Sequence, residues 1–187
     1  FLESELRDFK NSGFELSRNK QDELKRIQNR IAELSIDFTN NINTHMDTIV
    51  IEEVLMEGLS DDYQKDRYLG NGYYAVDLSY PSFYTYMENA ESDSMRKRLR
   101  YKFLNRGMPD NIKIFNEILS LRNQYAETLG YSSFSAYTIE EAMAKNPETV
   151  WQFENDLKIK IQKKAHWDTA QLVEIKNHMT GNNDTVI

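Results

Sequence analysis

Leu24, Ile27, Ile31, Leu34 and Phe38 recur at intervals of three and four, and Ile42 extends the series by four more. Only a helix of about 3.6 residues per turn brings such positions onto one face. Lys25, Arg26, Asn29, Arg30 and Glu33 then fall on the other faces. The stripe predicts a helix over residues 20–44, about six turns long. A helix with one apolar face needs a neighbour to cover it, so the chain must be multi-helical. Residues 1–10, with Leu2, Leu6 and Phe9 on one side, are the expected antiparallel partner.

The same period returns after residue 80. Phe83 and Met87 mark a short helix over 82–89, and Ser92 is placed to cap a helix over 93–106 carrying Met95, Leu99 and Phe103. Asp110 opens a further helix with Ile112, Phe115, Leu119, Arg122, Ala126 and Leu129 on one face and Gly130 just past its end. Asn146-Pro147 joins a capping residue to a proline at the first helical position. It predicts a helix with Val150, Phe153, Leu157 and Ile161 turned inward, running to about Met179 before Gly181.

One stretch breaks the pattern. Thr48-Ile49-Val50-Ile51 and Tyr73-Tyr74-Ala75-Val76-Asp77-Leu78 are β-branched or aromatic runs. A short helix at Leu59–Tyr63, capped by Ser60, and a turn at Leu69-Gly70-Asn71-Gly72 lie between them. Two strands alone make no stable sheet, so a small antiparallel excursion packed on helices is expected, with completion by a strand from absent chain as the other way to stabilise it. The expected fold class is mainly α: a multi-helical lobe with a small two-stranded antiparallel β element at about residues 48–52 and 73–78.

Composition removes several function classes. A net charge of −7 argues against generic binding to nucleic acid or anionic membrane, and no apolar run approaches the ~20 residues a membrane span needs. With no cysteine, disulfides, thiolate metal sites and thiol nucleophiles are excluded. His45, His166 and His178 are the three histidines, and none is followed by Glu. His166 and His178 stand twelve residues apart, too far for a pair one helical turn apart. Asp61-Asp62 and Glu140-Glu141 have no neighbouring base or nucleophile, and Gly70-Asn71-Gly72 lacks the Gly-Lys-Ser/Thr of a phosphate loop.

Two features remain open to more than one reading. Arg96, Lys97, Arg98, Arg100, Lys102 and Arg106 place six cations in eleven residues without an acid. That run reads either as a solvated face paired with acids elsewhere or as a surface for an anionic partner. Seven of the eleven tyrosines lie between Tyr63 and Tyr86, suiting either the packing of the β element on helices or the wall of a cleft.

Residues 121–153, LRNQYAETLGYSSFSAYTIEEAMAKNPETVWQF, and residues 80–103 resemble the helical, non-catalytic part of the thimet oligopeptidase family of zinc metallopeptidases. That family includes neurolysin, bacterial oligopeptidases, dipeptidyl carboxypeptidase and mitochondrial intermediate peptidases. The likeness rests on Leu121, Arg122, Ala126, Leu129, Gly130, Tyr131, Tyr137, Met143, Ala144, Lys145, Val150 and Phe153, with Leu34, Asp37, Phe38 and Asn41 earlier. It implies a parent enzyme whose zinc is held by H-E-x-x-H, a motif this chain lacks. No residue here therefore inherits a catalytic, cofactor-binding or metal-ligating role.

The resemblance implies a single non-catalytic lobe over residues 1–187, forming part of a channel that admits only short peptides. Its expected partners are the C-terminal catalytic part of the same protein and, in the parent, short peptide substrates, with neither nucleic acid nor membrane. The opening at Phe1 and the close at Val186-Ile187 read as the cut ends of a fragment, and a cytoplasmic setting is expected. An independent helical protein-interaction domain without catalysis is the alternative, and a scaffold for acidic ligands built on residues 96–106 is a third reading.

Overall fold

The computed structural model describes Glu5, Leu6, Phe9 and residues 11–185, so the helix expected over residues 1–10 lies largely outside the described residues. The chain divides into two compact units, Phe14–Arg122 and a second made of Phe1–Gly13 with Asn123–Ile187.

The first unit opens with helix α1, Arg18–Asn43. Its stripe does what the spacing predicts: Leu24, Ile27 and Leu34 are buried and Ile31, Phe38 and Ile42 are half-buried. Then come β1 (Thr48–Glu52), a 3₁₀ turn (Glu53–Met56), α2 (Asp61–Lys65), β2 (Tyr68–Gly70) and β3 (Tyr73–Asp77). Ser60 caps α2 by accepting from the Tyr63 amide at 3.4 Å.

The sheet has three strands rather than two, in the order β1-β3-β2, both pairings antiparallel. Strands β1 and β3 align Thr48 with Asp77 through Glu52 with Tyr73. Residues 69–72 do turn, with Gly70, Asn71 and Gly72 all at positive φ, but the turn closes a hairpin that makes β2 the third strand. A strand of three residues carries too little alternation to be read in advance. It satisfies the second edge of β3, which two-strand pairing would have left open.

Alternation along the strands puts Ile49, Ile51, Tyr74 and Val76 on the inner face. Helices α3 (Tyr80–Asn89) and α4 (Asp93–Leu104) supply Phe83, Tyr86, Met95 and Leu99 to the same core. Each such side chain contributes about 1.5–3 kcal/mol on burial. Ser82 is a fully buried polar residue of α3. Its carbonyl accepts from the Tyr63 hydroxyl at 2.9 Å and its Oγ from Arg67 Nε at 3.2 Å. Burial holds the Tyr86 phenol, which donates to the Leu55 carbonyl at 2.5 Å, up to about 12.

Helix α5 spans Asp110–Thr128; over its first turns the buried face lies one residue from the expected one, while Ala126 is buried as expected. Asn111, Ile118, Tyr125 and Ala126 are buried, while Ile112, Phe115 and Leu119 stay 45–47% exposed. Asn111 explains the rotation. Its Nδ2 donates to the Phe38 carbonyl at 3.0 Å and its Oδ1 accepts from Asn41 Nδ2 at 2.9 Å, so a polar residue holds an interior position.

In the second unit, α5 ends in a Schellman motif: Tyr131 N–H donates to the Ala126 carbonyl at 2.9 Å and Gly130 N–H to Glu127 at 3.0 Å. Gly130, at φ 89, occupies the left-handed position. Helix α6 (Phe134–Ile139) brings the Tyr137 ring within 5.3–5.8 Å of Tyr125, Tyr131 and Phe134. The last helix, α7, runs Pro147–Thr180, opened by Asn146 Oδ1 accepting from the Thr149 amide at 2.8 Å and closed by left-handed Gly181. Its inward face is a correction. No residue of α7 is buried; Phe153, Leu157 and Ile161 are 66%, 44% and 53% exposed.

Candidate functional site

The seven tyrosines between 63 and 86 divide by depth. Tyr63, Tyr74 and Tyr86 are core, whereas Tyr80 and Tyr84 are half-exposed on α3. Tyr80 and Tyr84 are four residues apart, one helical turn, and their rings stack at 5.9 Å. Phe103 of α4 meets Tyr80 edge-on at 5.6 Å and lies flat on Phe83 at 3.7 Å. Arg106 caps the cluster, its guanidinium 3.7 Å from the Phe103 ring centre and 5.2 Å from that of Tyr80.

Tyr80 and Arg106 of this cluster line a cleft of about 610 Å³ in the first unit. The end of α1 supplies Ile42, the approach to β1 supplies His45, Met46 and Asp47, and the entry to α3 supplies Tyr80 and Pro81, with Asp77 and Arg106 beside them. Asp47 is ion-paired with Lys102, whose hydrogen bond outweighs partial burial and holds the carboxyl below its usual range. Burial works to raise the Asp77 carboxyl, but hydrogen bonds from Ser79 and the attraction of Arg67 outweigh it and the net direction is down.

The basic run splits along these lines. Arg96 pairs with Asp93 and reaches the Ala90 carbonyl, Lys102 pairs with Asp47, and Arg106 sits on the rings. Lys97, Arg98 and Arg100 point outward, and among the described residues no acid pairs with them. Sequence reasoning noted Arg106 and Tyr80 as members of a charge run and a tyrosine cluster. It missed their convergence, for which the i, i+3 spacing of Phe103 and Arg106 was the available signal.

The donor set does not fit a zinc site. His166 and His178 lie on α7 about 18 Å apart along its axis, and among the described residues no three His, Cys, Asp or Glu cluster to hold a metal. No described helix is long and apolar enough to cross a membrane.

A sequence model of peptidase family M3 matches residues 86–186, more than half of the chain. The chain belongs to peptidase family M3. Saccharolysin of Saccharomyces cerevisiae is 29% identical over 168 residues, covering 86% of this chain and 24% of that protein. Oligopeptidase A of Escherichia coli is 27% identical over 188 residues, 91% of this chain and 28% of the relative. Mitochondrial intermediate peptidase of Candida albicans is 29% identical over 186 residues, with 93% and 24% covered. The chain thus spans about a quarter of the length of the curated relatives it matches.

The residues carrying the M3 resemblance fall into two structural groups. Asn41, Ala126, Gly130, Tyr131 and Tyr137 close hydrogen bonds or fill packing positions. Met143 and Phe153 are instead 100% and 66% exposed. The Tyr131 hydroxyl lies 2.8 Å from Asn11 Oδ1 and 2.5 Å from Glu140 Oε2, and burial with that carboxylate holds it up to about 12.

Proposed function

We propose that this chain is a non-catalytic helical lobe of a zinc-dependent M3 oligopeptidase that hydrolyses short peptides. In this reading the chemistry resides in polypeptide beyond these residues, and the chain supplies part of the wall that restricts substrate access. Family membership supports the peptidase assignment, and the poor fit of the three histidines to a zinc site supports placing the metal elsewhere.

The observation that carries the reading is α7. Over 34 residues it buries nothing, yet it presents Val150, Phe153, Leu157, Ile161, Leu172, Ile175 and Met179 along one face, with Trp151, Ile159 and Trp167 on others. A water-facing helix carries polar residues away from its core stripe; one apolar on several faces belongs inside a larger body. Relatives about four times longer supply the chain needed to cover it. The aromatic wall of Tyr80, Tyr84 and Phe103 supports a role in lining a peptide path, because rigid rings with polar tips suit transient contact with varied peptides.

Light scattering tests the reading. The chain mixed with the remaining polypeptide of its parent is expected to form a one-to-one complex, and L157E/I161E to abolish it. A chain that ignores that polypeptide would transfer the assignment to an independent interaction domain.

A further inference from the structure

We propose that the cleft beside the aromatic wall binds a peptide carboxylate, with Arg106 as its receptor. The proposal rests on the reading of the chain as part of a peptidase and assigns a recognition site to it.

The charge distribution points to a single negative charge. Three side chains with fixed charge line the cleft, and the two acids are already engaged, Asp47 by Lys102 and Asp77 by the Ser79 amide and the field of Arg67. Arg106 is not matched in this way. Its Nε donates to the Phe103 carbonyl at 3.0 Å, its guanidinium carbon lies 3.7 Å from the Phe103 ring centre and 5.2 Å from that of Tyr80, and among the described residues no carboxylate pairs with it. Stacking uses the faces of a guanidinium and leaves its edge, with the remaining N–H donors, free for a planar acceptor. A carboxylate matches that fork with two parallel hydrogen bonds. The nearby acids disfavour a dianion, which separates a carboxylate from a phosphate monoester.

The surroundings fit what a peptide would attach to that carboxylate. The volume of about 610 Å³ lies in the range of small-ligand sites, and its lining combines apolar and aromatic residues with polar ones, Asn43, His45, Thr48 and Ser79 among them. Ile42, Pro81 and Tyr80 form walls, and Met46, 93% exposed, is a flexible thioether able to adapt to different side chains. Tyr84 extends the ring surface outward.

Nuclear magnetic resonance titration of the isotopically labelled 187-residue chain tests this, following the Arg106 Nε–H and the Tyr80 ring. The probes are an acetylated tripeptide ending in phenylalanine with a free carboxylate, its C-terminal amide, the same amide with an internal glutamate, and inorganic phosphate. The free acid should shift both signals saturably, and the plain amide should bind at least tenfold more weakly. A response to the glutamate amide equal to that of the free acid would make any peptide carboxylate the ligand; no response would restrict it to the C-terminus. Followed at the Tyr80 ring, the one of the two signals that survives substitution of Arg106, R106Q should abolish the shift, and R106K, which keeps charge but loses the planar fork, should weaken binding at least fivefold, with circular dichroism verifying that each variant is folded. Equal binding of acid and amide, no binding of any peptide, tighter binding of phosphate, or unchanged binding by folded R106Q would overturn the proposal. These outcomes leave the peptidase reading standing, because that reading fails only in the complex-formation experiment.

Discussion

Gly58 is the backbone position where a single methyl group should do the most damage. The residue sits at φ +89 between the 3₁₀ turn and α2, and a Cβ built there would lie 2.1 Å from the Asn89 carbonyl oxygen at the end of α3. Two backbone segments thus meet with room only for hydrogen, and the Glu91 amide to Glu57 carbonyl bond at 3.0 Å ties them together. Gly70, in the β2–β3 turn at φ +101, has nothing within 4 Å of its built Cβ, so Gly70→Ala isolates the conformational cost. That cost is roughly 1–3 kcal/mol for an alanine at positive φ, and it applies to both variants. Gly58→Ala adds the loss of the Glu57–Glu91 bond, about 1 kcal/mol, and retraction of Met56 and Leu59 from the core, together about 2–3 kcal/mol more. With a urea slope of about 1–3 kcal/mol per molar, this extra cost of about 3–4 kcal/mol should place the midpoint for G58A about 1–4 M below that for G70A. Urea unfolding followed by circular dichroism measures it. Equal losses in the two variants would refute the argument from close backbone approach.

Leu99→Ala, at a fully buried position, should cost about 2–5 kcal/mol in the same assay. The Tyr86 and Tyr131 phenols are held up to about 12, so the folded chain keeps protons that the unfolded chain releases near pH 10. Stability should therefore be complete below pH 10 and decline between about 10 and 12, the decline shrinking in Y86F; a flat profile to pH 12 would contradict the burial argument. Asp47 is shifted the other way, so its contribution is present above its unfolded value near 4 and is lost as pH falls through its lower folded value. D47N should cost about 0.5–1 kcal/mol at pH 7 in low salt, and its difference from the parent chain should vanish in strong acid. L157E/I161E should change the stability of the chain alone by only about 0.5 kcal/mol, because both side chains are already in water; a loss comparable to L99A would show that α7 is covered within this chain.

Features written in neighbouring residues were legible in the sequence. Ser60, Ser92 and Asn146 each accept from the amide three residues on, as their place before an apolar-periodic run predicts. The stripe of α1 holds because its apolar residues outnumber any competing face. In α5 the choice between faces turned on Asn111, a polar residue whose partners Phe38 and Asn41 are some seventy positions away, and periodicity does not report such partners. Strand β2 was hidden by its length and by glycines that signal a turn without saying what the turn connects. Helix α7 misled for another reason: spacing shows which residues share an apolar face, not whether anything covers it, and no residue of α7 is buried. The cleft lay beyond reading because Ile42, Asp77 and Arg106 converge only through the fold, although each was visible separately.

The central claim, that this M3 chain is a lobe without chemistry of its own, is tested most directly by reconstitution. The chain, the remaining polypeptide of its parent, and the two together would each be assayed for cleavage of a quenched short peptide in the presence of zinc. Little or no cleavage is expected from either piece alone, with chelator-sensitive cleavage by the mixture and loss of that recovery with L157E/I161E. Cleavage by this chain alone, or full and equally size-selective cleavage by the remainder without it, would contradict the account.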